Sequence, residues 1–191
     1  MYAVIADPYC YTGTNVLKNK KRLRDLGQLE AFELVATTQR ADEPLPAGRC
    51  TPTHYRTIHH HLFQDVYRWA GCYRTVRISK NGNTFCYPEN IVGAMQKLFN
   101  ELAKADFFKH CGANEFSEGA AHFLAELNAI HPFREGNGRT QLAFVSLLAH
   151  RASWPFDLDR LNPTTFLSAM IDSFAGREMA LSSQLQSLIR R

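Results

Sequence analysis

Apolar residues recur along this chain at spacings of three and four, the period of helices with one buried face. Tyr55, Ile58, Leu62, Val66 and Trp69 form one such stripe, predicting a helix from about Thr53 that Gly71 ends. Ile91, Met95, Leu98 and Leu102 form another, on a helix opened by Pro88 and Glu89. A third runs from near Glu115 through Phe116, Ala120, Phe123, Leu124, Leu127 and Ile130. It stops at His131-Pro132, because proline pushes the residue before it out of helical conformation. From Arg139 to His150 the chain is apolar on most sides, with Leu142, Phe144, Val145, Leu147 and Leu148. Such a helix belongs in the middle of a bundle, and Ser153-Trp154-Pro155 breaks it. Residues 163–188 read as one or two covering helices. Upstream, residues 14–38 carry helix formers, and residues 42–52, with three prolines and a glycine, read as a loop.

One segment breaks the helical period. Val76 and Ile78 alternate with polar residues ahead of Asn81-Gly82, the dipeptide that most strongly signals a hairpin turn. The predicted fold is therefore all-α, a helical bundle in one domain spanning residues 1–191, with a small β-hairpin over about 75–87. A lone hairpin is marginal, so it must lean on the bundle.

Composition narrows the class. A chain of 191 residues suits a single core, and 45% hydrophobic with 21% charged residues excludes disordered and collagen-like chains. No stretch approaches the ~20 apolar residues of a membrane helix, and MYAVIADPYCY lacks the pattern of a signal peptide. A soluble, cytoplasmic protein without a membrane partner is expected. The formal charge of +4 is too small to argue for nucleic acid. Lys18, Lys20, Lys21, Arg22 and Arg24 read as a solvated helix face rather than a phosphate patch. Five cysteines at 10, 50, 72, 86 and 111, without a CxxC pair, indicate neither a disulfide framework nor a zinc site. His59, His60 and His61 point ~100° apart on a helix, so they cannot converge on one metal. One packed and two solvated histidines are expected there.

Chemistry concentrates in residues 131–139, His-Pro-Phe-Arg-Glu-Gly-Asn-Gly-Arg, between two buried helices. Two glycines and an asparagine let backbone N–H groups form an anion-binding concavity, and the next helix adds its positive end. Arg139 can fork onto phosphate oxygens. Glu135 is a hard ligand of the kind that holds magnesium. His131, with a reference pKa near ~6.5, is placed to take a proton from a hydroxyl. Together these suit phosphoryl or nucleotidyl transfer.

HPFREGNGR resembles, letter for letter, the signature HPFx(D/E)GNGR of the Fic (filamentation induced by cAMP) family. IHHHLFQDVYRWAG and RTVRISKNGNTF resemble the family's helix and flap, and DPY with NVLKNK resembles the start of its compact bacterial members. The resemblance covers about residues 7–180. It implies a Fic core that transfers AMP from ATP to a hydroxyl side chain of a target protein. By that resemblance His131 is the base and Glu135 holds Mg²⁺. Asn137 and the Gly136 and Gly138 backbone cradle phosphates, Arg139 steadies the β-phosphate region, and Phe133 anchors the loop. The flap, with Val76, Ile78, Lys80 and Gly82, docks the target segment by strand addition.

The family pattern often continues to a second arginine, where this chain has Leu142. In the family that arginine contacts the γ-phosphate side and pairs with an inhibitory glutamate. The family's inhibitory pattern Ser/Thr-x-x-x-Glu-Gly/Asn is not found; Ser173 and Glu178 come near but are spaced wrongly. The resemblance therefore implies a toxin restrained in trans by a small antitoxin, acting on a target such as a type II topoisomerase subunit. Two alternatives stay open: a Doc-like protein kinase, and a Fic-fold binding module weakened by Leu142.

Overall fold

The computed structural model describes residues 7–80 and 83–190. Seven helices build the described residues: α1 (Leu26–Ala41), α2 (Pro52–Phe63), α3 (Ile91–Lys104), α4 (Ala113–Ile130), α5 (Asn137–Arg151), α6 (Pro163–Phe174) and α7 (Met179–Leu188). Several starts are written locally. Asp25, Thr51 and Asn162 cap α1, α2 and α6 by accepting first-turn N–H groups, and Pro52 and Pro163 occupy the first turns that tolerate them.

The buried stripes lie where the periodicity places them. Ile91, Met95, Leu98 and Leu102 are buried on α3, and Phe116, Ala120, Phe123, Leu124, Leu127 and Ile130 on α4. They feed two cores. The first joins the inner faces of α1, α2 and α3 to Phe123, Leu127, Phe133, Phe144 and Leu148. The second joins α6 and α7 to Phe116, Leu124, Val145 and Ala149. Helices α4 and α5 thus run between two cores, and the loop joining them emerges where the cores meet. The expectation that α5 is central holds, since none of its residues from Thr140 to Ala149 is exposed.

Three expectations are corrected. Residues 14–25 are not helical: Asn19 Nδ2 donates to the Leu17 and Leu23 carbonyls, and Lys20 N–H donates to Val66, so tertiary bonds replace helical ones. The basic run is therefore a loop, with Arg24 over Tyr11 and Lys21 over Phe32. Helix α2 ends at Phe63, short of Gly71; turns bonded back to the Phe63 carbonyl carry Val66 and Tyr67 inward. The hairpin has two residues per strand, β1 (Ser79–Lys80) and β2 (Asn83–Thr84), antiparallel, with Ser79 opposite Thr84 and Lys80 opposite Asn83. The predicted turn residues Asn81 and Gly82 lie outside the described residues, as does the side chain of Lys80. No helix among the described residues is long and apolar enough to cross a membrane.

Candidate functional site

The α4–α5 loop begins with a backbone reversal. His131 caps α4 in the left-handed region (φ 48°, ψ 61°), which few residues other than glycine adopt. The reversal brings its ring to the wall of a cavity of about 700 Å³. There the imidazole stacks on Phe85 from the base of the hairpin, centroids 4.0 Å apart. Phe133 is fully buried between His59 (3.7 Å) and Tyr55 (5.5 Å), an anchor as the sequence suggests. Gly136 starts α5 at φ +82°, and a Cβ there would sit 2.3 Å from the Phe63 ring. Conformation and space both demand glycine.

The rest of the loop is wired to itself. Asn137 is buried; its Nδ2 donates to the Phe133 carbonyl and its Oδ1 accepts the Phe133 N–H. Its amide therefore clasps the loop at the border of the cavity, which Asn137 helps to line. The Gly136 N–H donates to Glu135 Oε1 at 2.8 Å, so that group too is spent within the loop. Among the described residues no side chain caps α5, which leaves first-turn N–H groups at 137–139 without helical partners. Gly138 borders the cavity, and a Cβ there would meet nothing, so backbone is open to a ligand at that point.

Charge is held by residues that the sequence did not single out. Arg139 pairs with Glu33 of α1, donates to Thr37 Oγ1 (3.2 Å), lies over the Phe63 ring and stands 3.6 Å from Glu135. Glu33 also accepts from the Tyr67 hydroxyl. Burial, then the neighbouring Glu33 carboxylate, pushes the Tyr67 hydroxyl far above its ordinary range, so it stays a donor. Arg134 pairs with Asp7 at 2.7 Å.

His59 is the packed member of the histidine triplet. Its Nδ1 accepts the Gly71 N–H (2.7 Å), which places the proton on Nε2, and Nε2 donates to the Glu135 carbonyl (3.0 Å). Burial lowers its pKa to about 3, so it is neutral at physiological pH. His61 is also mostly packed, bonded to the Arg40 carbonyl, where a solvated side chain was expected. Arg74, 2% exposed, bonds the His131 carbonyl through Nε at 2.8 Å.

The cavity has two characters. His131, Arg134, Glu135, Gly138 and Arg139 line one side, with Ile78 and Ser79 of the hairpin at its edge. Leu161, Phe166, Leu167, Met170, Ile171 and Phe174 line the other. Leu142 of α5 belongs to the apolar lining, whereas Val76 does not reach the cavity. A ligand with an anionic end and a flat apolar end fits this division. A histidine placed beside the anionic end can take a proton from an incoming hydroxyl.

Comparison with known proteins identifies the family. The Fic/DOC family model matches residues 49–149. The chain is 47% identical over 189 residues, 98% of each sequence, to the Sinorhizobium fredii protein named "Probable protein adenylyltransferase y4lH". It is 36% identical over 188 residues to protein adenylyltransferase VbhT of Bartonella schoenbuchensis, spanning 97% of this chain and 38% of that protein. Among solved structures, the N-terminal Fic domain of a Bep effector from Bartonella quintana, with bound ADP, superposes with a TM-score of 0.87 at 25% identity, covering 95% of this chain and 94% of that one. BepC of Bartonella tribocorum, with bound AMPPNP, shares the fold at a TM-score of 0.86 and 24% identity, over 95% and 96% of the two chains.

Proposed function

This chain belongs to the Fic/DOC family, and on that premise we propose that it is a protein adenylyltransferase, transferring AMP from ATP to a hydroxyl side chain of a target protein. The observation that carries the reading is one cavity with the His131 ring and the uncapped start of α5 on one side and an apolar wall on the other. The α-, β- and γ-phosphates lie along the first turn of α5, and the adenine lies between Leu161, Phe166 and Phe174. His131 accepts the proton of the target hydroxyl; the freed oxygen attacks the α-phosphorus, the bond to the β-phosphate breaks, and pyrophosphate leaves. Backbone N–H groups at 137–139 and the helix dipole receive the charge that develops.

The donor set fits a magnesium ion. Glu135 is a single hard carboxylate, 44% exposed at the cavity, and Mg²⁺ characteristically takes one or two carboxylates together with substrate phosphates. When bound, the ion would be held by Glu135 and would neutralise phosphate charge. Arg139 contributes positive field from a fixed position, since Glu33 and Thr37 hold it. Leu142 adds apolar surface where a second cation is common in the family, so the γ-phosphate is held loosely. A type II topoisomerase subunit as target, and a small antitoxin covering the cavity in trans, rest on the family resemblance alone.

The test supplies the protein and a cell lysate with ATP labelled at either the α- or the γ-phosphate. Protein labelled from α alone, and lost in His131→Ala, is the expected result. Label from γ alone means a kinase, and no label from either means a binding module.

A further inference from the structure

We propose that Arg74 is a positioning residue for transfer: its buried guanidinium locks the target-docking hairpin and the catalytic histidine to each other. The inference rests on the adenylyltransferase reading and adds a residue to it.

Burying a guanidinium is costly unless its donors are satisfied. Among the described residues Arg74 pairs with no carboxylate. Four backbone carbonyls take its donors. Nη1 donates to Val76 (2.7 Å) and Nη2 to Cys86 (2.5 Å), the two legs of the hairpin. Nε donates to His131 (2.8 Å) and Nη2 also to Ile130 (3.2 Å), the end of α4. Those last carbonyls have no helical partners and carry the negative end of the helix dipole, which is what balances the cation.

Backbone bonds reinforce the same joint. Arg74 N–H donates to Pro132, and Cys86 N–H donates to Ala129. Phe85, next to Cys86, lays its ring on the His131 imidazole. Hairpin strands of two residues each cannot hold their own orientation. The arginine fork does so, and it holds the base by the same atoms. A target segment that pairs with the hairpin edge is then delivered in register with His131. Lysine cannot substitute, because one ammonium cannot span carbonyls on both hairpin legs and the helix end.

Arg74→Lys is the test, read two ways. In the ligand-free protein, the Cys86 amide should lose at least tenfold in hydrogen-exchange protection while amides inside α3 do not change. In labelling of lysate proteins from α-labelled ATP, the rate at saturating ATP should fall on the order of 10²-fold, the cost of about 1 Å of misplacement. The ATP concentration for half that rate should stay within about twofold, since the phosphate cradle is untouched. In Arg74→Ala, added guanidinium ion should restore labelling and methylammonium should not. Wild-type labelling in Arg74→Lys, unchanged Cys86 exchange, or a loss that falls on ATP affinity overturns the proposal. If Arg74→Ala does not fold, Arg74→Lys decides alone. If the wild-type protein transfers no AMP, the functional reading fails, and the exchange measurement still decides whether Arg74 joins hairpin to helix end.

Discussion

Acid should loosen this protein at the packed histidine of α2. His59 is buried against Phe63 and Phe133, and its Nδ1 is committed as an acceptor to the Gly71 N–H. Protonation would put a second N–H against that donor in an environment that cannot solvate the charge. The folded pKa of about 3 lies below the ordinary 6.5 of the unfolded chain, so between those values the unfolded state binds the extra proton. Stability contributed by the neutral ring is fully present above pH 6.5 and is lost as pH falls towards 3. From pH 7 to pH 5 the linkage amounts to about 2 kcal/mol at 1.36 kcal/mol per unit. For a domain of this size that lowers Tm by about 4–8 °C. Urea unfolding at pH 7, 6 and 5 measures it, and His59→Gln should flatten the curve while lowering stability at pH 7 through lost packing. In the folded protein the ring stays neutral down to about pH 3, so its Nε2 bond to the Glu135 carbonyl persists over this range and the effect is read in stability. If wild type and His59→Gln show parallel pH dependence, the assignment of a neutral, Nε2-protonated His59 is wrong.

Other perturbations separate the remaining roles. Gly136→Ala meets both the positive φ and the Phe63 ring, so urea unfolding should show a loss of about 2–4 kcal/mol; a loss under about 1 kcal/mol would contradict the geometry. Glu33→Gln removes the carboxylate that occupies Arg139. Freed for phosphate, the guanidinium should tighten ATP binding by on the order of 1 kcal/mol, about fivefold, for a pair whose arginine is partly exposed and whose glutamate is buried; weaker binding by calorimetry would show that Glu33 preorganises the arginine instead. Leu142→Arg puts a cation on the cavity wall, so ATP should bind more tightly while ADP changes little, and equal effects on both would dissociate this position from the γ-phosphate.

The sequence was most readable where packing repeats. The stripes of α3 and α4, the central character of α5 and the loop at 131–139 follow from apolar spacing and from residue types that serve few other purposes together. Less readable was whatever depends on contacts distant in sequence. Residues 14–25 have helical propensity, but Asn19 and the Val66 carbonyl reward a different path. Val76 and Ile78 alternate like a strand, yet the Val76 carbonyl is taken by Arg74 rather than by a partner strand. Glu33 does carry a signal in the sequence: it falls in step with buried Leu29, Ala36 and Thr37, and a carboxylate on such a face requires a partner. The loop-closing bonds of Asn137 to Phe133 were not legible either, because nothing in a motif says which backbone groups a side-chain amide will reach.

The meeting of two cores at the α4–α5 loop divides ownership of the cavity. The reacting groups are tethered by Phe133 to the first core, whereas the apolar wall comes from α6, the segment before it and the second core. Drift in one half therefore need not retune the other. A graft of residues 158–190 from a relative should carry that relative's nucleotide preference across and leave bond breaking intact. Phe174 reaches across the division, its ring in a T-shaped contact with the Phe85 ring that stacks on His131, and it is a side chain such a chimera must keep.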